Sequence, residues 1–93
     1  MSGYLMKPAS EEALARIDWT QGYLEPGEEV SADLGWAVSP GGEIAVQEQR
    51  VDGTASYAKL ADGVPGRVYM VSARAQTSRG RALERAIVVR ISA

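Results

Sequence analysis

Residues 68–91 read VYMVSARAQT, then SRGR, then ALERAIVVRI, and this stretch decides the fold. Two apolar runs flank a short turn containing Gly80, the signature of a β-hairpin. In the first run Tyr69, Val71, Ala73 and Ala75 alternate with Met70, Ser72, Arg74 and Gln76. In the second, Leu83, Ile87, Val89 and Ile91 share one face, while Glu84 and Arg90 lie on the other. Successive strand side chains point to opposite faces, so such a sheet buries one side and wets the other. The hairpin therefore predicts one wall of a core, with Tyr69, Val71, Ile87 and Val89 inside.

Working back from the hairpin, the clearest strand is Val30 to Val38. Its alternation predicts Val30, Ala32, Leu34, Trp36 and Val38 on the buried face, with Trp36 as the largest core contribution. Ser39-Pro40-Gly41-Gly42 and Asp52-Gly53 are turns, and Ile44 to Glu48 is a weaker strand between them. Thr54 to Leu60 is a further strand whose register stays open: Ala55 and Tyr57 inward, or Ala58 and Leu60. Ser10 to Trp19 has helix-forming composition, yet Ala15, Ile17 and Trp19 alternate, and a two-turn helix is unstable without packing. A strand from about Ala13 to Trp19 is the preferred reading, with Trp19 in the core. Gly22, Pro26 and Gly27 mark a loop whose Glu25, Glu28 and Glu29 read as a solvated acidic tip. Leu24 is expected to tuck beneath that loop.

Six or seven short strands with turns every eight to twelve residues predict an all-β fold, an immunoglobulin-like antiparallel β-sandwich of about seven strands. Tyr69 follows Leu60-x-Asp62-Gly63, where such domains often carry a tyrosine corner. Residues 11–93 are assigned to the sandwich and residues 1–10 to an extended N-terminal arm. Within the arm, Tyr4, Leu5 and Met6 are apolar enough to dock on a neighbour. The segment MSGYLMKPAS lacks a charged start followed by an apolar run, so it does not read as a signal peptide.

The chemistry is bounded by what the 93 residues lack. No Cys and no His are present, which removes disulfides, thiolate ligands and the commonest general base. No phosphate-loop pattern occurs, and no acidic pair is spaced to flank one cleft. No catalytic residue, metal site or cofactor is expected. The net charge of −2 argues against nucleic acid as a partner, and no apolar run is long enough to span a membrane. Residues 1–66 hold four basic residues against eleven acidic ones, whereas residues 67–93 hold six arginines against Glu84 alone. Arg74 and Arg90 fall on the outward face of the hairpin, Arg79 and Arg81 at its tip. These four, with Tyr4, Leu5 and Met6, are the candidate partner-binding residues. Arg85 should point inward and must reach solvent or a carboxylate.

One order of residues carries more than its parts. It begins with Lys7-Pro8, Ile17-Asp18-Trp19, Leu24, Gly27-Glu28, Trp36-Ala37-Val38 and Gly42. It continues with Gly63, Gly66, Tyr69-x-Val71, Thr77-Ser78-x-Gly80-Arg81 and Glu84-Arg85-x-Ile87. This order resembles the short tail proteins of bacteriophages known as fibre–tail adaptors. Pro8-Ala9-Ser10 departs from it, where an acidic residue near the proline is expected. The resemblance implies an immunoglobulin-like, non-enzymatic virion protein of the tail or head–tail region, made in the host cytoplasm. It implies other phage tail or connector proteins as partners, with several copies joined in a symmetric ring. The alternative is a generic immunoglobulin-like module that binds carbohydrate or protein, with Tyr4 and Tyr23 as its free aromatics.

Overall fold

Seven strands and no helix make up the computed structural model, which describes residues 3–20 and 22–92. They are β1 (Tyr4–Pro8), β2 (Ala13–Asp18), β3 (Val30–Ser39), β4 (Ile44–Asp52), β5 (Ala55–Asp62), β6 (Val68–Thr77) and β7 (Ala82–Ser92). Two sheets form a sandwich, one in the order β1-β7-β6-β3 and the other β2-β5-β4. The β6–β7 hairpin lies at the centre of the four-stranded sheet, as its two-faced pattern requires. Tyr69, Val71, Ala73, Ala75, Leu83, Ile87, Val89 and Ile91 all point into the core.

The opposite wall comes from β2 and β5. Ala15 and Ile17 face Ala58 and Ser56 across the ladder, and all four are buried. Within the Ser10–Trp19 segment Ala13–Asp18 is thus a strand, because pairing with β5 satisfies its backbone where a two-turn helix could not. Trp19, just past the end of β2, is completely buried. Its indole N–H donates to Ser56 Oγ at 2.9 Å, and its ring meets Tyr23 edge-on at 5.4 Å. The register of β5 resolves with Ser56, Ala58 and Leu60 inward and Tyr57 and Lys59 outward. Leu24 packs against the core as expected. Tyr69 forms the corner: its hydroxyl accepts from the Val64 N–H at 3.0 Å and donates to Glu43 Oε1 at 2.6 Å.

Three expectations change. The N-terminal arm is not an arm from Tyr4 onward, because Tyr4–Pro8 pairs with β7 and extends the sheet. That pair is parallel, so the sandwich is not wholly antiparallel. Lys7 points inward, with no exposed surface, and its ammonium donates to the Pro8 and Asp62 carbonyls at 2.8 and 2.6 Å. One buried cation thereby ties β1 to the end of β5 in the other sheet.

The third change concerns β3. Its pairing with β6 slips once between Val30 and Ala32 and again between Asp33 and Gly35. Each slip is a bulge, which inserts one unpaired residue and turns the residues after it to the other face. Val30, Trp36 and Val38 therefore sit opposite inward residues of β6, whereas Ala32 does not, and Leu34 is 41 % exposed rather than in the core. Gly35 takes φ +114°, and its N–H is held by Asp33 Oδ1 at 2.8 Å. Trp36 lies on an edge strand and is only partly buried, so Trp19 takes the central place that the alternation assigns to Trp36.

Candidate docking face

The two outer faces of the sandwich differ in chemistry. On the three-stranded sheet the charges answer one another. Tyr57 lies under the Arg50 guanidinium at 4.1 Å and accepts a hydrogen bond from Arg16 Nε at 3.2 Å. Lys59 bridges Glu12 and Glu48, Arg16 pairs with Asp18, and Arg50 with Asp52. Among the described residues, Leu14 stands alone there as an exposed large apolar side chain. This is a solvated, self-satisfied surface.

The outer face of the four-stranded sheet is apolar at one end. Register fixes its rows. Tyr4 lies beside Val88, Val88 beside Met70, and Met70 beside Ser39. In the next row Met6 lies beside Arg90, and Arg90 beside Val68. Tyr4, Met6, Val68 and Met70 are each half or more exposed. Four of the seven exposed large hydrophobic side chains among the described residues thus gather around Arg90. Ala86, Ser72 and Ala37 form a smooth middle row, beyond which Arg74 faces Glu84. Among the described residues, Arg74 and Arg90 make no ion pair or side-chain hydrogen bond.

A shallow hollow of about 220 Å³ opens at the far end, between Leu34, Trp36, Ala37 and the facing residues Arg74 and Glu84. The β3 bulge makes it by turning Leu34 outward. The Trp36 indole N–H is buried without an acceptor among the described residues, an unmet donor of the kind that folded proteins rarely leave.

The structure divides the seven partner-binding candidates. Arg74, Arg90, Tyr4 and Met6 come together on this face. Leu5 turns inward against the core. Arg79 and Arg81 at the hairpin tip are already engaged by the loop before β3. Arg81 Nε and Nη2 grip Glu28 at 2.9 and 2.6 Å, and Nη2 also donates to the Tyr23 carbonyl at 2.7 Å. Arg79 pairs with Glu25 at 2.9 Å and donates to the Pro26 carbonyl at 2.8 Å. Glu28 is buried rather than solvated, and Arg81 holds its carboxyl far below the usual glutamate range, helped by the Glu25 N–H. Arg85 does point inward: it reaches the Asp18 carbonyl and lies 5.9 Å from the Tyr23 ring.

The apolar members Val68, Met70 and Val88 are absent from the candidates read off the sequence. The signal was present, since Met70 and Val88 fall on the polar side of the alternation, where an apolar residue has no core to fill. A surface of this kind on a small sandwich fits a protein that works by contact. Residues 7–90 match the family described as podophage GP4 fiber-tail adaptor protein gp77. The chain belongs to this family. The match covers nearly the whole sandwich, from the buried Lys7 in β1 to Arg90 in β7. No curated protein matches the chain. A fibre–tail adaptor has a structural role in the virion tail, and it binds other tail components.

Proposed function

We propose that this adaptor is a non-enzymatic, immunoglobulin-like connector that uses the outer face of its β1-β7-β6-β3 sheet to hold a neighbouring tail component. The observation that carries the reading is the contrast between the two outer faces. One has its charges paired among themselves. The other exposes a cluster of large apolar side chains, which monomeric surfaces rarely gather in one place. The immunoglobulin-like reading rests on the strand order, with the first strand parallel to the last, and on the Tyr69 corner. The missing His and Cys support a role without catalysis. Several copies in a closed ring would meet through heterologous contacts, in which each copy offers two different surfaces. Arg79 and Arg81 would then serve by shaping the tip rather than by offering free charge.

The test is removal of the chain from the assembling phage. Tails made without it should lack fibres, and purified protein added back should restore them. Tails that carry fibres at normal occupancy without the chain would overturn the proposal.

A further inference from the structure

The outer face of the four-stranded sheet carries charges of opposite sign at the two ends of β7. Arg90 lies in register between Met6 and Val68, at the apolar end, and Glu84 lies opposite Arg74, at the rim of the hollow. Among the described residues neither Arg90 nor Glu84 makes an ion pair or side-chain hydrogen bond. We propose that this face takes a second copy of this chain, turned about a two-fold axis so that Arg90 of each copy meets Glu84 of the other. The inference rests on the docking role proposed above and names the occupant of that face.

The spacing suits such a contact. Glu84 and Arg90 lie on the same face of β7, about 20 Å apart at a strand's rise of about 3.3 Å per residue. A two-fold axis that crosses the strand midway between them exchanges the two ends of the face, as an isologous contact requires. Both Arg90–Glu84 pairs then form at once, one on each side of the axis. The rows between exchange likewise: Val88 falls over Ala86 of the second copy, and Met70 over Ser72. Large side chains thus meet the smooth middle row, which lets the two sheets approach to the usual ~10 Å. Val68 falls over Arg74, whose apolar stem lies along it while the guanidinium stays in water at the edge of the contact.

Other arrangements lose this match. An axis along the strands would set Arg90 against Arg90, and two like charges would lose water together. The opposite sheet offers no complement, because Lys59, Arg16 and Arg50 already hold its carboxylates. Strand addition is discouraged at the edges of the four-stranded sheet, where β3 carries two bulges and β1 is five residues long and ends in Pro8. A different protein would have to bring an anion and a cation at this spacing, whereas a second copy carries both. The face projects roughly 600 Å² per copy, so the contact buries about 1,200 Å² in total, the lower limit of a standard interface. The dimer should therefore be reversible, and a closed ring would be built from such pairs through other surfaces.

The experiment follows the purified full chain by sedimentation over a range of concentrations, for the native chain, R90E, E84R and an equimolar mixture of the two variants. The native chain should pass from monomer to dimer as concentration rises. R90E and E84R, each shown to be folded by thermal melting, should weaken the dimer by about tenfold or more, since like charges then meet at both pairs. The mixture should restore it, because the two variants supply opposite charges at both pairs. A native chain that stays monomeric at every concentration would overturn the inference, and so would a mixture no better than its parts. A photoreactive benzophenone amino acid at Met70 in assembled particles separates this failure from failure of the docking role. The expected crosslink joins Met70 to a second copy of this chain. A crosslink to another virion protein alone would overturn the two-fold pairing and leave the docking face standing, whereas no crosslink to any virion protein would overturn both.

Discussion

Glu28 keeps its charge inside the protein because Arg81 meets it with two donors from the hairpin tip, 53 residues away in sequence. Either partner alone is a liability. Arg81→Ala leaves a buried carboxylate unpaired, whereas Arg79→Ala removes an ion pair that is exposed on both sides. Surface pairs contribute little and stranded buried charges cost much. Thermal denaturation should therefore show a clear loss for Arg81→Ala and almost none for Arg79→Ala, with Glu28→Gln recovering part of the first. Equal losses would mean that the tip does not distinguish them. The same pair sets an acid limit. The folded carboxyl of Glu28 titrates lower than the unfolded one, first because of Arg81 and then because of the Glu25 N–H. Its contribution is complete above the unfolded value, about 4.3, and fades as pH falls below it toward the folded value. Asp18, held down by the Thr20 N–H and hydroxyl, acts in the same direction. A melting curve that drops below about pH 4.3 in the native chain should drop less in Glu28→Gln.

At the level of elements, β1 depends on Lys7. The strand is short, lies at an edge and pairs in parallel, so its ladder alone holds it weakly. Lys7 adds two charge-assisted bonds to carbonyls, one of them in the other sheet. Lys7→Ala should lower stability by about 2 kcal/mol in urea unfolding and speed amide exchange along β7, because bonds to charged groups contribute more than neutral ones. Unchanged exchange at Val88, whose N–H donates to the Gly3 carbonyl, would show that β1 holds without it. Elements whose own side chains alternate strictly are legible in the sequence. The β6–β7 hairpin follows from alternation around Gly80, and β2 from Ala15, Ile17 and Trp19. The strand at Tyr4–Pro8 is not, because its partner is at the far end of the chain and a lysine in an N-terminal segment reads as solvated. The bulges of β3 are half legible: Asp33 and Gly35 inside a strand are the local signal for one. Unbroken alternation outweighs that signal and puts Leu34 inside. Of the docking face, the arginines are visible as outward residues, but their apolar neighbours Val68 and Val88 become a group only when β1 closes beside β7.

For the molecule as a whole, what matters is that the sandwich has a satisfied side and an unsatisfied one. It measures 42 × 24 × 19 Å, so each sheet presents a long, narrow face. Strands about 4.8 Å apart and ten residues long at about 3.3 Å each give the four-stranded face roughly 600 Å² in projection, near the ~800 Å² per partner of a standard interface. The side chains that define it are exposed in the free protein, so replacing them removes little from the core. Met70→Asp and Val68→Asp should each leave thermal stability nearly unchanged, since surface substitutions outside special features usually shift it by no more than about 0.5 kcal/mol. The same changes should sharply reduce incorporation into particles, because each replaces an exposed apolar side chain of the cluster with a charge that loses water on docking, and Asp at position 68 would also occupy Arg90 beside it. Arg50→Ser on the opposite face breaks the contact over Tyr57 and the pair with Asp52, yet should leave incorporation intact. Incorporation measured for the three variants in one preparation compares the faces directly. Loss with Arg50→Ser and retention with both aspartates would assign the contact to the β2-β5-β4 sheet instead.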